Sequence, residues 1–547
     1  MTNPEFTNLK ALFEQGNLKD LINEYKKMVK KETIQNLPER EQLIALYYFI
    51  RALGLIGNKT DLNYYFEKIS QSPDLSKVNN NVLHQFLLNL SYLEYLGSIT
   101  NQEDYDKSDN LLNAIPLEVQ AKEYEMICIY LTKKAMYLTF NKNNKEKSYE
   151  LMNQALSLIP DSNPSYIACH VLFVFGIICI QFNDIEKGLF YGEQAKEQAE
   201  SIGAKERLIA SLVTLSDYNI IKSDYKNINL SIDYLQKAIQ LNEVVGRITH
   251  AKNNLASIYI LKGELDKALQ IIQSALSFYG ESEALDHKSA SYMLIGEIYY
   301  QQGEISKAKE YLVRTIELKA IDSSWNIETQ YESLLRLCQI SVEENDMEKA
   351  NYYLEKIQYA NQHIVDFRTT IYENLAKAII LKSSKRVKNR AKSQELLEDI
   401  INKPKMSMNF KTYAINHICE LILANYLLLG DEEALVELQN YADILYDSGQ
   451  DTQNYPIVIQ ALILKAKLKT IEENFDEATK MLEVANVFAS ERDLIGLENK
   501  ISFEKLLINE NFQNKAFQTG SKKDRLSMAK IGNYIQEAQR YVLRFDN

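Results

Sequence analysis

The chain has 547 residues, 46% of them hydrophobic and 25% charged, and a formal net charge of −12. That hydrophobic share excludes a disordered chain, and 8 Pro with 18 Gly are too few for a loop-rich or β-sandwich protein. The acidic balance argues against nucleic-acid binding, which draws its affinity from a basic face. All five cysteines, Cys128, Cys169, Cys179, Cys338 and Cys419, fall in apolar helical stretches, as in a reducing compartment. Cys169 and Cys179 would stand roughly 15 Å apart along one helix, too far for a disulfide. The opening MTNPEFTNLK lacks the basic segment and apolar run of a signal peptide. A cytoplasmic protein is expected.

In chain order, Asn3-Pro4-Glu5 reads as a helix start, with Asn as cap and Pro at the first helical position. Helical hairpins follow: Pro4–Glu14 with Leu18–Lys31, turning at Gly16; Glu39–Ile56 with Thr60–Ser70; Asn81–Gly97 with Asp104–Ile115; Leu117–Phe140 with Lys145–Ile159. The next four units, about Ser165–Leu318, are the most regular. Their first helices carry the cores FGIIC (Phe175–Cys179), LSDYN (Leu215–Asn219), LASIY (Leu255–Tyr259) and IGEIY (Ile295–Tyr299). Tyr166–Phe182 carries no formal charge, but it keeps register with the repeats and Asp161 and Asp184 flank it. It predicts a covered helix rather than a membrane span. A ninth unit keeps Leu337-Cys338 and Ala350, and a tenth, Ile371–Ile401, carries an insertion before Ser393. Thr412–Leu429 with Glu432–Tyr446 and Pro456–Ile471 with Phe475–Ala489 complete about twelve hairpins. A helix at Leu494–Asn509, a polar loop and a last amphipathic helix from about Asp524 to Phe545 close the chain, the last one striped by Ile531, Ile535, Ala538 and Val542.

A beat of forty residues runs through this series. The small residue of the first helix (A) recurs at Gly176, Ser216, Ala256 and Gly296; that of the second (B) recurs at Ser108, Ser148, Gly188, Ser231, Ala268 and Ala308. Helices approach closely only where side chains at the crossing are short. In Ala251–Tyr279, AKNNLASIYILKGELDKALQIIQSALSFY, Ala256 and Ala268 sit twelve apart across a turn at Gly263. This pattern resembles the tetratricopeptide repeat (TPR), over nearly the whole chain and most specifically at residues 165–360. The stretch Tyr455–Leu494 is similar to the end of long archaeal TPR arrays. The resemblance implies an all-α, α-α superhelical solenoid of about twelve antiparallel hairpins with a C-terminal capping helix. It divides into 1–164 (degenerate repeats), 165–360 (regular repeats), 361–510 (degenerate repeats) and 511–547 (loop and capping helix).

No catalytic motif stands out: there is no G-x-S-x-G elbow, phosphate loop, H-E-x-x-H or EF-hand loop. The six histidines are scattered singly, and neither His417 with Cys419 nor His170 with Cys169 can clamp a metal, because such close neighbours point to different helix faces. No enzyme activity, cofactor or metal is expected. The run Lys382–Lys392, KSSKRVKNRAK, reads as a solvated turn or a docking patch for an acidic partner. The 35 tyrosines read as core residues of the repeats or as an aromatic groove lining. The resemblance implies a concave groove lined by A helices that binds a protein or peptide partner. Its facing positions are Asp217, Asn253, Ser257, Ile260, Met293, Glu297, Tyr300 and Gln339, with Asn253, Glu297 and Tyr300 expected to face solvent. Two further readings are a self-associating structural protein and a peptide-sensing regulator; the latter usually carries an N-terminal effector module, whereas repeats here begin almost at Met1.

Overall fold

The structure, a computed structural model, describes residues 3–55, 61–65, 81–96, 102–160, 164–182, 184–221, 228–241, 245–277, 285–318, 327–361, 367–403, 406, 408–430, 432–451 and 454–540. Among them there is no strand. The first hairpins are α1 (Pro4–Gln15) with α2 (Leu18–Lys30), then α3 (Glu39–Leu55) and a helical stretch at 61–65. Next come α4 (Val82–Leu96) and α5 (Gln102–Ala114), then the short α6 (Leu117–Lys122), α7 (Tyr124–Lys142) and α8 (Lys145–Leu158). The regular units are α9 (Tyr166–Gln181) and α10 (Ile185–Ile202), α11 (Lys205–Ile221) and α12 (Ile228–Leu241), α13 (Val245–Leu261) and α14 (Leu265–Leu276), α15 (Leu285–Gln301) and α16 (Ile305–Glu317). Four more hairpins follow: α17 (Ile327–Glu343) with α18 (Met347–Asn361), α19 (Phe367–Lys382) with α20 (Val387–Asn402), α21 (Met408–Leu429) with α22 (Glu433–Asp451), and α23 (Tyr455–Ile471) with α24 (Phe475–Ser490). The chain closes with α25 (Ile495–Gln513), α26 (Lys515–Thr519), α27 (Lys522–Met528) and α28 (Ile531–Arg540).

Local chemistry sets these boundaries. Asn3 Oδ1 accepts from the Glu5 amide at 2.9 Å, and Asn144, Ser165, Asn454 and Asn474 cap later helices in the same way. Gly16, Gly263, Gly303 and Gly430 end A helices with positive φ, the left-handed conformation that a residue without a Cβ adopts at least cost. All ten small positions of the forty-residue beat are buried. At the α9/α10 crossing a Cβ on Gly176 would stand 3.1 Å from the Gly188 carbonyl oxygen, and at α15/α16 one on Gly296 would meet Leu312 Cγ at 2.7 Å. The small residues are therefore what lets each hairpin close.

Two stretches depart from expectation. Leu117–Phe140 is split at Glu123, whose carboxylate accepts from Arg40 of α3 at 2.5 and 2.7 Å and whose backbone ends α6 and begins α7. The final helix is broken at Ala529-Lys530, where Lys530 takes a φ of 52°. The carbonyl of Ala529 accepts instead from the buried Lys467 Nζ at 2.8 Å. Val542 and Tyr541 lie outside the described residues.

The two layers differ in burial. A helices inside the array are covered on more sides than B helices: α9 buries thirteen of its sixteen residues and α23 thirteen of seventeen. B helices bury one stripe, as α14 does with Ala268, Ile272 and Ala275. The A helices thus form the inner layer, and successive turns of the superhelix touch. The Gly16 turn meets the start of α11, where a Cβ would lie 2.9 Å from the Glu206 nitrogen. The Gly263 turn meets the start of α25: the Gly496 amide donates to the Lys262 carbonyl at 3.0 Å, and Lys262 Nζ stands 3.7 Å from Asp493. A side chain on Gly263 would fall on Gly496 Cα, so this contact requires glycine for space as well as for φ. No helix among the described residues is long and apolar enough to cross a membrane, and Tyr166–Gln181 is a solenoid helix.

Candidate binding surface along the A helices

The A helices are tied to one another by polar side chains that recur with the repeat. Lys133 of α7 meets Glu94 of α4 at 2.7 Å, Asn254 of α13 donates to Asp217 of α11, and Arg336 of α17 grips Glu297 of α15 at 2.7 and 3.1 Å. Lys382 of α19 meets Glu420 of α21, and Lys467 of α23 meets Glu504 of α25 at 2.5 Å. Partners stand 37 to 39 residues apart along the chain, one repeat length. Each pair thus joins neighbouring units across the inner layer.

The electrostatics follow from burial. Burial alone would raise the Glu94 carboxyl, but Lys133 and then Arg51 outweigh it and pull its pKa down to about 2. His170 is held well below its ordinary pKa by burial first and by Arg207 second, so its ring is neutral. Arg207 donates to His170 Nδ1 at 3.1 Å, which assigns the ring proton to Nε2, 3.0 Å from the Thr132 hydroxyl. Burial, then Lys382, likewise lowers His417, whose Nδ1 accepts from Lys382 at 2.8 Å.

The eight positions implied by the repeat resemblance divide between this network and the core. Asp217 and Ser257 are half-exposed. Asn253, Glu297 and Tyr300, expected to face solvent, are buried, as are Ile260, Met293 and Gln339. The reason is that side chains of the next units lie against them, Ser291 on Asn253, Arg336 on Glu297 and Tyr413 on Gln339, which makes the A layer an interior. Glu297, Tyr300 and Gln339 come together in one network: Tyr300 donates to Glu343 at 2.6 Å, Gln339 donates to Glu343 at 3.0 Å, and Tyr413 donates to Gln339 Oε1 at 2.6 Å. Arg336 also lies over the Tyr300 ring, 4.6 Å from its centroid. Asn253 accepts from Ser291 of α15 at 2.9 Å. Ile260 and Met293 belong to the hydrophobic core. Sequence reasoning missed Arg336, Glu343, Asn254 and Tyr413. Complementary residues one repeat apart, such as Glu297 and Arg336, were the available signal for the first and third.

The tyrosines are mainly packing residues: Tyr47, Tyr130, Tyr300, Tyr372 and Tyr413 are among the largest fully buried side chains. In the basic run, Lys382 is spent on Glu420 and His417, whereas Lys385, Arg386, Lys388 and Lys392 are exposed around the start of α20. All five cysteines are free and buried. Among the described residues no group of three or more His, Cys, Asp or Glu could hold a metal ion.

The inner layer has one different occupant. Helix α28 returns across α21 and α23. Ile531, Tyr534, Ile535, Ala538 and Gln539 are buried there. Tyr534 donates to the Gln460 carbonyl at 2.7 Å, Gln539 donates to Glu420 at 2.8 Å, and Glu537 pairs with Lys500 of α25.

Stacked helical hairpins with small residues at each crossing define a helical-repeat solenoid. Residues 247–320, spanning α13 to α16, match the family model of the tetratricopeptide repeat, and the chain is TPR-like there in sequence as well as in fold. A search of curated proteins finds no match. Among solved structures, the chain is similar to the apo form of the quorum sensor NprR from B. thuringiensis, at 17% identity and a TM-score of 0.45, covering 67% of this chain and 99% of that one. It is also similar to a Rap protein complexed with competence and sporulation factor, at 14% identity and a TM-score of 0.42, covering 77% of this chain and 99% of that one. A third is aspartyl phosphate phosphatase F from Bacillus subtilis, at 18% identity and a TM-score of 0.39, covering 66% and 92%. With TM-scores this low, none of the three bears on function.

Proposed function

We propose that this chain is a non-enzymatic scaffold that binds a peptide or helical segment of a protein partner on its A-helix layer. One observation carries the reading: the inner layer already holds an amphipathic helix, α28, that is not part of any hairpin. Laying an apolar stripe into a groove between helices is a general mode of protein recognition. The match of residues 247–320 to the tetratricopeptide repeat supports the same class. The test is to pan a displayed peptide library against the purified chain and measure the enriched peptides by fluorescence anisotropy. Saturable binding in the micromolar range is expected. If no enriched peptide binds saturably, the scaffold reading is wrong.

Self-association is the second reading, and α25 favours it. This last A helix packs on α24 but has no B helix of its own among the described residues, and Ile495, Phe503 and Leu506 are exposed along it. A terminal repeat left open in this way invites contact with another copy. Light scattering over a concentration series distinguishes a monomer from an assembly that dissociates when Leu506→Glu is introduced.

A further inference from the structure

Helix α28 covers the inner layer from outside the series of hairpins. Apart from the contacts at the Gly16 and Gly263 turns, the hairpins pack mainly on their neighbours in chain order, but α28 reaches back to α21 and α23, with Gln539 meeting Glu420 across 119 residues of sequence. It arrives through two interruptions, at Gly520 and at the left-handed Lys530. Elsewhere the A layer is closed by side chains of the repeats themselves, such as Glu297 with Arg336 and Tyr413 with Gln339. Over α21 and α23 a segment that belongs to no hairpin covers it. The surface beneath has an apolar strip between charged edges: Ile463 lies under the helix, a Cβ on Gly532 would stand 3.4 Å from Leu423 Cδ2, and Glu420 and Lys500 meet Gln539 and Glu537 on either side. The fit is incomplete, because a small pocket remains between Gln460, Ile463, Leu497, Lys500, Tyr534 and Ala538.

We propose that the α21–α23–α25 face is the partner site of the scaffold, and that α28 is a resident pseudo-ligand which the partner's helix displaces. This deepens the binding function proposed above and rests on it. The resident helix specifies the chemistry of the partner: apolar anchors spaced as Ile531, Tyr534, Ile535 and Ala538, with an acid at the Glu537 position to meet Lys500. Such a helix is amphipathic and acidic on the edge that faces α25. While α28 is docked, its tether gives it an effective concentration on the order of millimolar, which excludes weaker competitors. Binding therefore depends on a partner that matches these anchors better than the incomplete resident fit.

The probe is a fluorescein-labelled peptide of residues 529–547. It should bind saturably to a chain ended after Ala529 and at least about tenfold more weakly to the full chain. Ile535→Asp in the full chain, which undocks the helix without removing residues, should expose the site to the same peptide. Lys500→Glu in the shortened chain should weaken the peptide about tenfold, and a peptide carrying Glu537→Lys should recover the loss. The proposal is overturned if neither the shortened nor the Ile535→Asp chain, each with its circular-dichroism helicity intact, binds the peptide. Equal binding to the unmodified full chain, or indifference to the charge swap, overturns it as well. Panned peptides that bind equally well whether or not α28 is docked would sink this site and leave the scaffold standing. A face that rebinds its own helix while no panned peptide binds would sink the scaffold instead.

Discussion

The inner layer has two kinds of wall. From α13 to α17 it is sealed by polar pairs that join one unit to the next, with Arg336 on Glu297 and Asn253 on Ser291. At α21 and α23 such pairs recur, Lys382 with Glu420 and Lys467 with Glu504, and the apolar strip between them is covered by α28, which belongs to no hairpin. The same repeat geometry produced both, so the difference lies in what covers them. A wall satisfied by its own partners gains little from a ligand, because every new hydrogen bond must replace an existing one. The apolar strip beneath α28, with Leu423 and Ile463, keeps its affinity for any helix with a matching stripe.

The sharpest way to break this comparison is to unpair the sealed wall. Arg336→Leu leaves the Glu297 carboxylate buried without its guanidinium and should cost about 3–5 kcal/mol, read as a fall in the thermal midpoint. Adding Glu297→Leu should return most of the loss, since two apolar side chains leave no charge stranded. A double variant no more stable than Arg336→Leu would mean that the pair is not what seals this wall.

Crossings should be the next most sensitive. Ala268 is fully buried at the α13/α14 crossing, and Ala268→Leu should cost about 1–3 kcal/mol through overpacking. An unchanged melting midpoint would place the register elsewhere.

Acid should weaken the array through its buried imidazoles. His170 and His417 are neutral in the folded chain, with pKa values well below 6.5, held there by burial and by Arg207 and Lys382 respectively. The unfolded chain binds protons at these sites as pH falls below about 6.5, so stability is present above that pH and is lost below it. Each histidine adds a slope of up to about 1.4 kcal/mol per pH unit. Melting curves between pH 7 and pH 5 should flatten in His170→Gln, which keeps a neutral polar group beside Arg207 and Thr132. An identical pH profile would show that His170 is not titrating.

The smallest effect is expected at the covered wall. Tyr534→Phe removes one hydrogen bond to the Gln460 carbonyl and should cost about 1 kcal/mol. The loss should be confined to α28, so hydrogen exchange should speed up there and stay unchanged in α13–α16. A uniform change along the array would make α28 an ordinary part of the fold.

Much of the architecture was legible in the sequence by itself. Short residues at Gly176, Ala256, Gly296, Ala268 and Ala308 dictate helix crossings because nothing larger fits, and glycines at 263 and 303 dictate the turns because their φ is positive. Both constraints are local, so they survive in a single sequence. Whether Asn253, Glu297 and Tyr300 face a partner or the interior was decided by the tertiary structure. It depends on which side chains the next units set against them, Ser291, Arg336 and Glu343, and that pairing is fixed only when the helices stack. The break at Lys530 and the return of α28 onto α21 and α23 were decided there too. An amphipathic stripe says that a helix must cover something, and only the folded chain says what it covers.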